Sequence, residues 1–97
     1  MAWYVVTYDL RNEISSEDYT RLYDVLSSAV DFCWPLDSVW IIETPRKPSE
    51  VISILKDAAV LDDDDGIIVL EITGVGDFRR VSDNGTAQWL REHITRV

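Results

Sequence analysis

The sequence predicts an α+β domain built on an antiparallel sheet, and three observations predict it. Runs of β-branched and aromatic residues recur at Trp3–Tyr8, Ser38–Glu43 and Ile67–Ile72, a composition that suits a pleated, half-buried surface. Two stretches between these runs carry apolar residues at helical spacing. The elements follow one another as strand, helix, paired strands, helix, strand.

Strand one is Trp3–Tyr8, ended by Asp9. The polar loop "LRNEIS" follows, and a helix over Ser16–Val30 begins at "SSED". Ser15 or Ser16 can cap it, and Glu17 and Asp18 sit where the helix dipole favours acids. Tyr19, Leu22, Tyr23, Leu26 and Ala29 or Val30 form its apolar stripe. Phe32–Trp34 is a short strand, Pro35, Leu36 and Asp37 carry turn chemistry, and Ser38–Glu43 is the returning strand of a hairpin. "TPRKPSE" breaks that strand and opens a second helix over Pro48–Ala59, with Pro48 near its first position. Its apolar face is Val51, Ile52, Leu55, Ala58 and Ala59. Asp62–Asp65 and Gly66 end it, and Ile67–Ile72 is the fourth strand. A short strand at Phe78–Val81 is expected in the following loop. "GTAQWLREHITRV" closes the chain as a helix that buries Trp89, Leu90 and Ile94. The order β-α-β-β-α-β is the ferredoxin-like pattern. Right-handed crossovers then set a strand order of 4-1-3-2, all antiparallel, with the two crossover helices on one face and an added C-terminal helix.

With 97 residues and 46% hydrophobic content, one domain over residues 1–97 with a single core is expected. The lone Cys33 excludes an internal disulfide and fits a reducing cytoplasm, where it serves as a small buried hydrophobe. Nothing at the N-terminus reads as a signal peptide, and no apolar run reaches the length of a membrane span. The expected location is cytoplasmic, without membrane contact. Eighteen acids against nine bases give a net charge of −9. That balance opposes nonspecific nucleic-acid binding, which needs Lys and Arg to neutralise phosphate. It reads first as solubility.

The predicted topology gathers acids that sequence distance separates. The end of strand one, the hairpin and the entry to strand four share the top edge, so Asp9, Asp37 and Asp62–Asp65 fall together there. Such an edge suits a hard cation with oxygen ligands, such as Mg²⁺ or Ca²⁺. Asp37 and the four consecutive aspartates read equally as solvated turns, without the alternating spacing of a calcium loop. Asp9 differs, because the end of a central strand is a costly place for an unpaired charge; pairing with Arg11 or capping loop amides are its structural alternatives. Arg46, Lys47, Arg79 and Arg80 fall at the bottom edge, with Phe78 nearby for stacking. They read as a small positive patch or as solvated surface. His93 has no nucleophile beside it, so triad chemistry finds no support. Gly74–Gly76 is too short for a phosphate loop.

Two motifs resemble a known family. "VVTYDL", Val5 to Leu10, is similar to the first-strand signature of the CRISPR-associated small endoribonuclease and spacer-adaptation subunit family. "DSVWIIE", Asp37 to Glu43, resembles that family's Ser-Val-aromatic segment after the hairpin turn. The resemblance spans roughly residues 3–72. It implies a homodimer of ferredoxin-like protomers, some of them Mg²⁺-dependent nucleases with the strand-one aspartate near the two-fold axis and others structural subunits. By position, Asp9 is the implied catalytic and metal residue, with Mg²⁺ or Mn²⁺ as the ion and Ser38 beside it. The chain departs from the family in its scarcity of bases and in a C-terminal segment that reads as a helix with Trp89 rather than as a swapped strand.

Two functions of different class follow. One is a dimeric scaffold or nucleic-acid-associated module without catalysis, taking a protein partner or nucleic acid. The other is a divalent-metal-dependent endonuclease acting on RNA or DNA through paired Asp9 carboxylates, with Arg11, Ser38, Arg46, Lys47, Arg79 and Arg80 as nucleic-acid contacts. A toxin-like component of a two-gene pair is a third reading. With only one well-placed carboxylate per protomer and an acidic chain, the residues favour the scaffold. Four Trp and four Tyr in so short a chain also suggest an interface, because aromatics are enriched there, with Trp34, Trp40 and Trp89 as candidates.

Overall fold

The computed structural model describes residues 2–9, 16–58, 60–61, 64–81 and 84–95, without the side chains of residues 16–19 and 84. The elements are β1 (Ala2–Asp9), α1 (Ser16–Leu26), β2 (Asp31–Leu36), β3 (Val39–Thr44), α2 (Pro48–Asp57), β4 (Gly66–Glu71) and α3 (Asn84–His93). The four strands form one sheet in the order β2-β3-β1-β4. This is the predicted 4-1-3-2 order read from the other edge. Every pairing is antiparallel, and β1 is held on both sides, by β3 from Ala2↔Thr44 to Thr7↔Val39 and by β4 from Tyr4↔Glu71 to Asp9↔Gly66.

Alternation along the strands sorts the sheet into two faces. Tyr4, Val6 and Tyr8 of β1 point to one face with Trp40 and Ile42 of β3, and there they meet Leu22 and Leu26 of α1 and Val51 and Leu55 of α2. The two crossover helices thus share a face and build the main core. The two tyrosines reach out of it through their hydroxyls, Tyr4 donating to the Arg46 carbonyl at 2.8 Å and Tyr8 to the Asp37 carbonyl at 2.9 Å. Lys47 precedes α2, and its backbone N–H donates to the Glu50 carboxylate at 2.9 Å, with Pro48 opening the first turn. That arrangement satisfies one of the orphan donors of a helix start.

The structure corrects several boundaries. α1 stops at Leu26 rather than Val30. The Ser28 hydroxyl donates to the Val25 carbonyl at 2.6 Å, and the Val30 N–H donates to the Glu43 carbonyl at 2.9 Å. A side-chain bond to the last turn and a backbone bond to β3 compete with helix continuation there. Val30 is consequently exposed. Tyr23, expected in the buried stripe, is 44% exposed, its ring leaning over the β2 edge toward Phe32, Trp34 and Trp40. β2 runs through Pro35 and Leu36, which were expected in the turn; the turn itself is Asp37–Ser38. Proline is tolerated because β2 is an edge strand and its register shifts between Cys33 and Leu36. Residues 78–81, expected as a strand, carry none. Val75 instead makes a single parallel bridge to Thr95, after Gly74 turns the chain with φ of 81°, a conformation that favours glycine.

The closing helix ends at His93, short of the predicted extent, and it packs on the second face. Trp89 and His93 meet the Trp3 ring at 5.4 and 5.5 Å, and Trp3 alternates with the core-facing Tyr4. Leu90 is 2% exposed, whereas Trp89 and Ile94 are half-buried. The expectation of helices on one face therefore holds for α1 and α2 only. α3 covers the part of the second face near Trp3 and β2, and no other helix among the described residues covers the remainder. No helix among the described residues is long and apolar enough to cross a membrane.

Candidate functional site

At the top edge, the Tyr8 N–H donates to the Ser38 carbonyl at 3.2 Å, and Asp9 pairs with Gly66 of β4. These contacts put Asp9 between the β2–β3 turn and the entry to β4, next to Ser38 and close in sequence to Asp64 and Asp65. Asp9 is exposed. It continues the row Trp3, Val5, Thr7 on the second sheet face, not the row that fills the core. Asp37, Ser38 and Asp64 are also exposed and Asp65 is half-buried. Among the described residues no group of three or more His, Cys, Asp or Glu side chains converges as a metal site. Arg11, Asp62 and Asp63 lie outside the described residues.

At the bottom edge, Arg46 and Lys47 follow β3. Arg46 lines a pocket of about 290 Å³ whose other walls include Val25, Ala29, Pro45, Val51 and Ile54. Its backbone N–H donates to the Thr44 hydroxyl at 3.2 Å. Arg79 and Arg80 lie in the segment beyond β4, exposed, and Arg80 has a φ of 57°. That is a left-handed conformation uncommon for a residue with a Cβ.

Two further constellations escaped sequence reasoning. The first ties α3 to the sheet. Asp31 accepts the Trp89 indole N–H at 3.2 Å through Oδ1, and its Oδ2 lies 3.4 Å from His93 Nε2. The same Oδ1 accepts the Phe32 backbone N–H at 2.8 Å. His93 Nδ1 lies 2.7 Å from the Trp89 carbonyl, and the two rings stack at 3.9 Å. Both imidazole nitrogens thus face oxygen atoms, and which of them donates depends on the tautomer. Asp31 and Trp89 are 58 residues apart. The only local signal was that Trp89 and His93, four apart on a helix, share a face.

The second is an open cleft of about 500 Å³ at the β2 edge, bordered by α1 and the first turn of α3. Tyr23, Phe32, Trp34 and Trp89 line it with Asp37 and Thr86. Trp34 stacks on Trp40 at 4.8 Å with an interplanar angle of 18°, and its indole N–H donates to the Asp37 carbonyl at 3.2 Å. Trp40 is completely buried, so it is no interface residue, contrary to expectation. Trp34 and Trp89 are half-buried and stand in the cleft wall. Cys33 is buried and unbonded to another cysteine, as expected.

No protein-family model matches the chain, and no curated protein and no solved structure matches it.

Proposed function

We propose that the chain is a ferredoxin-like, Cas-two-like module that works as a homodimer, a scaffold or nucleic-acid-associated subunit without catalysis of its own. The observation that carries this reading is the helix-free part of the second sheet face. Ile68 and Leu70 of β4 are 54% and 57% exposed there, and they pair with Thr7 and Val5 of β1. Half-buried Val39 continues the patch across β3, and Ile41 marks its border with the part under α3. An apolar sheet surface of this kind is energetically unfavourable in water and favours burial against another surface. Packing it on its own copy buries both patches under one two-fold axis. The element order, the all-antiparallel pairing and the "VVTYDL" and "DSVWIIE" motifs support the family reading. The net charge of −9 weighs toward scaffold over nuclease, because a phosphate backbone needs basic residues to neutralise it.

Light scattering at high micromolar concentration tests the dimer. Wild type is expected to run as a dimer and Leu70→Asp as a folded monomer; a monomeric wild type overturns the reading.

One observation favours the endonuclease as a second reading. Asp9 ends the β1 row that enters the same open face, so a two-fold axis there can bring two Asp9 carboxylates together. Like charges held close repel and attract a divalent ion. On that reading Mg²⁺ or Mn²⁺ raises the melting temperature of wild type and not of Asp9→Asn, while metal-free Asp9→Asn melts at or above wild type. If metal moves neither melt and Asp9→Asn is destabilised by about 1 kcal/mol, Asp9 is a structural group and the nuclease loses its best-placed residue.

A further inference from the structure

The two edges of the sheet are finished differently. β2, at one edge, carries Pro35 and a register shift between Cys33 and Leu36. Both features hinder a further strand from pairing there. β4, at the other edge, carries neither. It runs in unbroken register with β1 from Tyr4↔Glu71 to Asp9↔Gly66, and it contains no proline and no lysine. The bond from the Ile72 N–H to the Trp3 carbonyl, at 2.9 Å, fixes which of its groups face outward. Hydrogen-bonded and non-hydrogen-bonded pairs alternate along an antiparallel ladder. Ile68 and Leu70 therefore bond to β1 as Ile72 does, and Ile67, Val69 and Glu71 turn their N–H and C=O groups away from the sheet. Among the described residues nothing hydrogen-bonds to that outward row. Such a row is a template for one more strand.

Charge selects the occupant. From Asp57 to Phe78 the sequence holds seven acids and no base. Glu71 is exposed and makes no ion pair among the described residues. A second copy pairing on this edge would bring the same acids across the join, and like charges opposite one another destabilise a strand pair. A strand with Lys or Arg at its ends meets both features, with main-chain groups for the ladder and cations for the acids.

We propose that the free edge of β4 takes up an extended, basic-ended segment of a partner protein as a fifth strand of the sheet. The edge is main chain at the rim of the sheet, separate from the Ile68 and Leu70 side chains on the open face. A failed dimer test therefore leaves it standing, and its own failure leaves the dimer standing.

The test is amide NMR and hydrogen exchange on the full chain, alone and with the peptide Ac-Lys-Val-Thr-Ile-Thr-Val-Lys-amide. One comparison probe has both lysines replaced by glutamate. Another is the lysine peptide N-methylated at its Val, Thr and Ile residues, which then cannot donate to a ladder. Salt near physiological strength screens nonspecific attraction to an acidic chain. In the free chain at low concentration, the Ile67, Val69 and Glu71 amides are expected to exchange at least about tenfold faster than those of Ile68 and Leu70. The lysine peptide is expected to shift these three amides and slow their exchange at least about threefold. It is expected to bind about fivefold more tightly than the glutamate peptide, and the N-methylated peptide is expected not to bind. Glu71→Lys is expected to cut the preference for the lysine peptide at least about twofold, with the melting temperature unchanged. The proposal is overturned if the three amides are already protected in the free chain at low concentration, or if raising the protein concentration alone protects them, which makes a second copy the occupant. It is equally overturned if the lysine peptide leaves them unmoved, if the glutamate or N-methylated peptide binds as tightly, or if Glu71→Lys leaves the preference unchanged.

Discussion

The two faces of the sheet are finished in different ways. On the α1–α2 face, Val6, Leu22, Leu26, Trp40 and Leu55 are almost completely removed from water, and their contacts are apolar and continuous. On the other face, among the described residues, only the corner under α3 is covered, and polar anchoring fixes it: Asp31 to the Trp89 indole and His93, with Trp3 edge-on to both rings. The rest of that face is apolar and open. The contrast separates two jobs of one sheet. The first face makes the fold stable by area. The second places one helix by a few directional bonds and leaves Ile68 and Leu70 exposed.

Substitutions can break this comparison, and the largest effect belongs to the first face. Trp40→Ala is expected to cost about 3–5 kcal/mol in chemical denaturation, because a buried indole leaves a cavity that the surrounding sheet and helices fill only in part. Asp31→Ala is expected to cost about 1–3 kcal/mol, since it strands the Trp89 indole and the Phe32 N–H and removes the His93 partner. Its signature is specific: hydrogen exchange should quicken in α3 while β1 and β3 keep their protection. Uniform loss of protection would show that the faces are not separable units. Trp40→Phe sharpens the point. The Trp40 Nε1 is buried with no hydrogen-bond partner among the described residues, a penalty of about 1–3 kcal/mol. Phenylalanine removes that donor along with some packing area. The net change is expected within about 1 kcal/mol of wild type, far below the alanine variant. Leu70→Ala is expected to change monomer stability least, by about 0.5 kcal/mol or less at low concentration, as for an exposed position. A much larger value at low concentration would place Leu70 in an intramolecular core.

The first face was largely legible in the sequence. Val5 to Tyr8, Val39 to Ile42 and Ile67 to Leu70 are strand-forming by composition, and Leu22, Leu26, Val51 and Leu55 fall at helical spacing. Strand order followed from chain chirality, with no need of side-chain detail. The second face was not legible, for a physical reason. Whether α3 docks there depends on Asp31 meeting Trp89 across 58 residues, and no local pattern encodes a contact of that range. Tyr23 shows the same limit within one helix. Its spacing marks it as core, yet it lies over Phe32 and Trp34 at the β2 edge, half in water. Pro35 misled in the opposite sense. It reads as a turn residue, and only the edge position of β2 makes it a strand residue. The grouping of Asp9 with the hairpin and the entry to β4 was readable from topology, whereas the aromatic cleft needed the stacking of Trp34 on Trp40, which spacing alone does not give.

The central position of β1 has a consequence during synthesis. It is the first strand made and the last to be fully paired. β2 and β3 meet through a two-residue turn as soon as both exist, but β1 has no neighbour until Val39–Thr44 emerges, and its other edge waits for Glu71. At ribosomal rates of about 5–20 residues per second, that wait is on the order of 3–12 s. Throughout it, "WYVVTY" is a β-prone, uncharged segment with an open edge, the kind that pairs with other nascent chains. Asp9, placed directly after it, is the nearest charge that can interrupt such pairing, so this carboxylate acts as a gatekeeper before the fold that surrounds it exists.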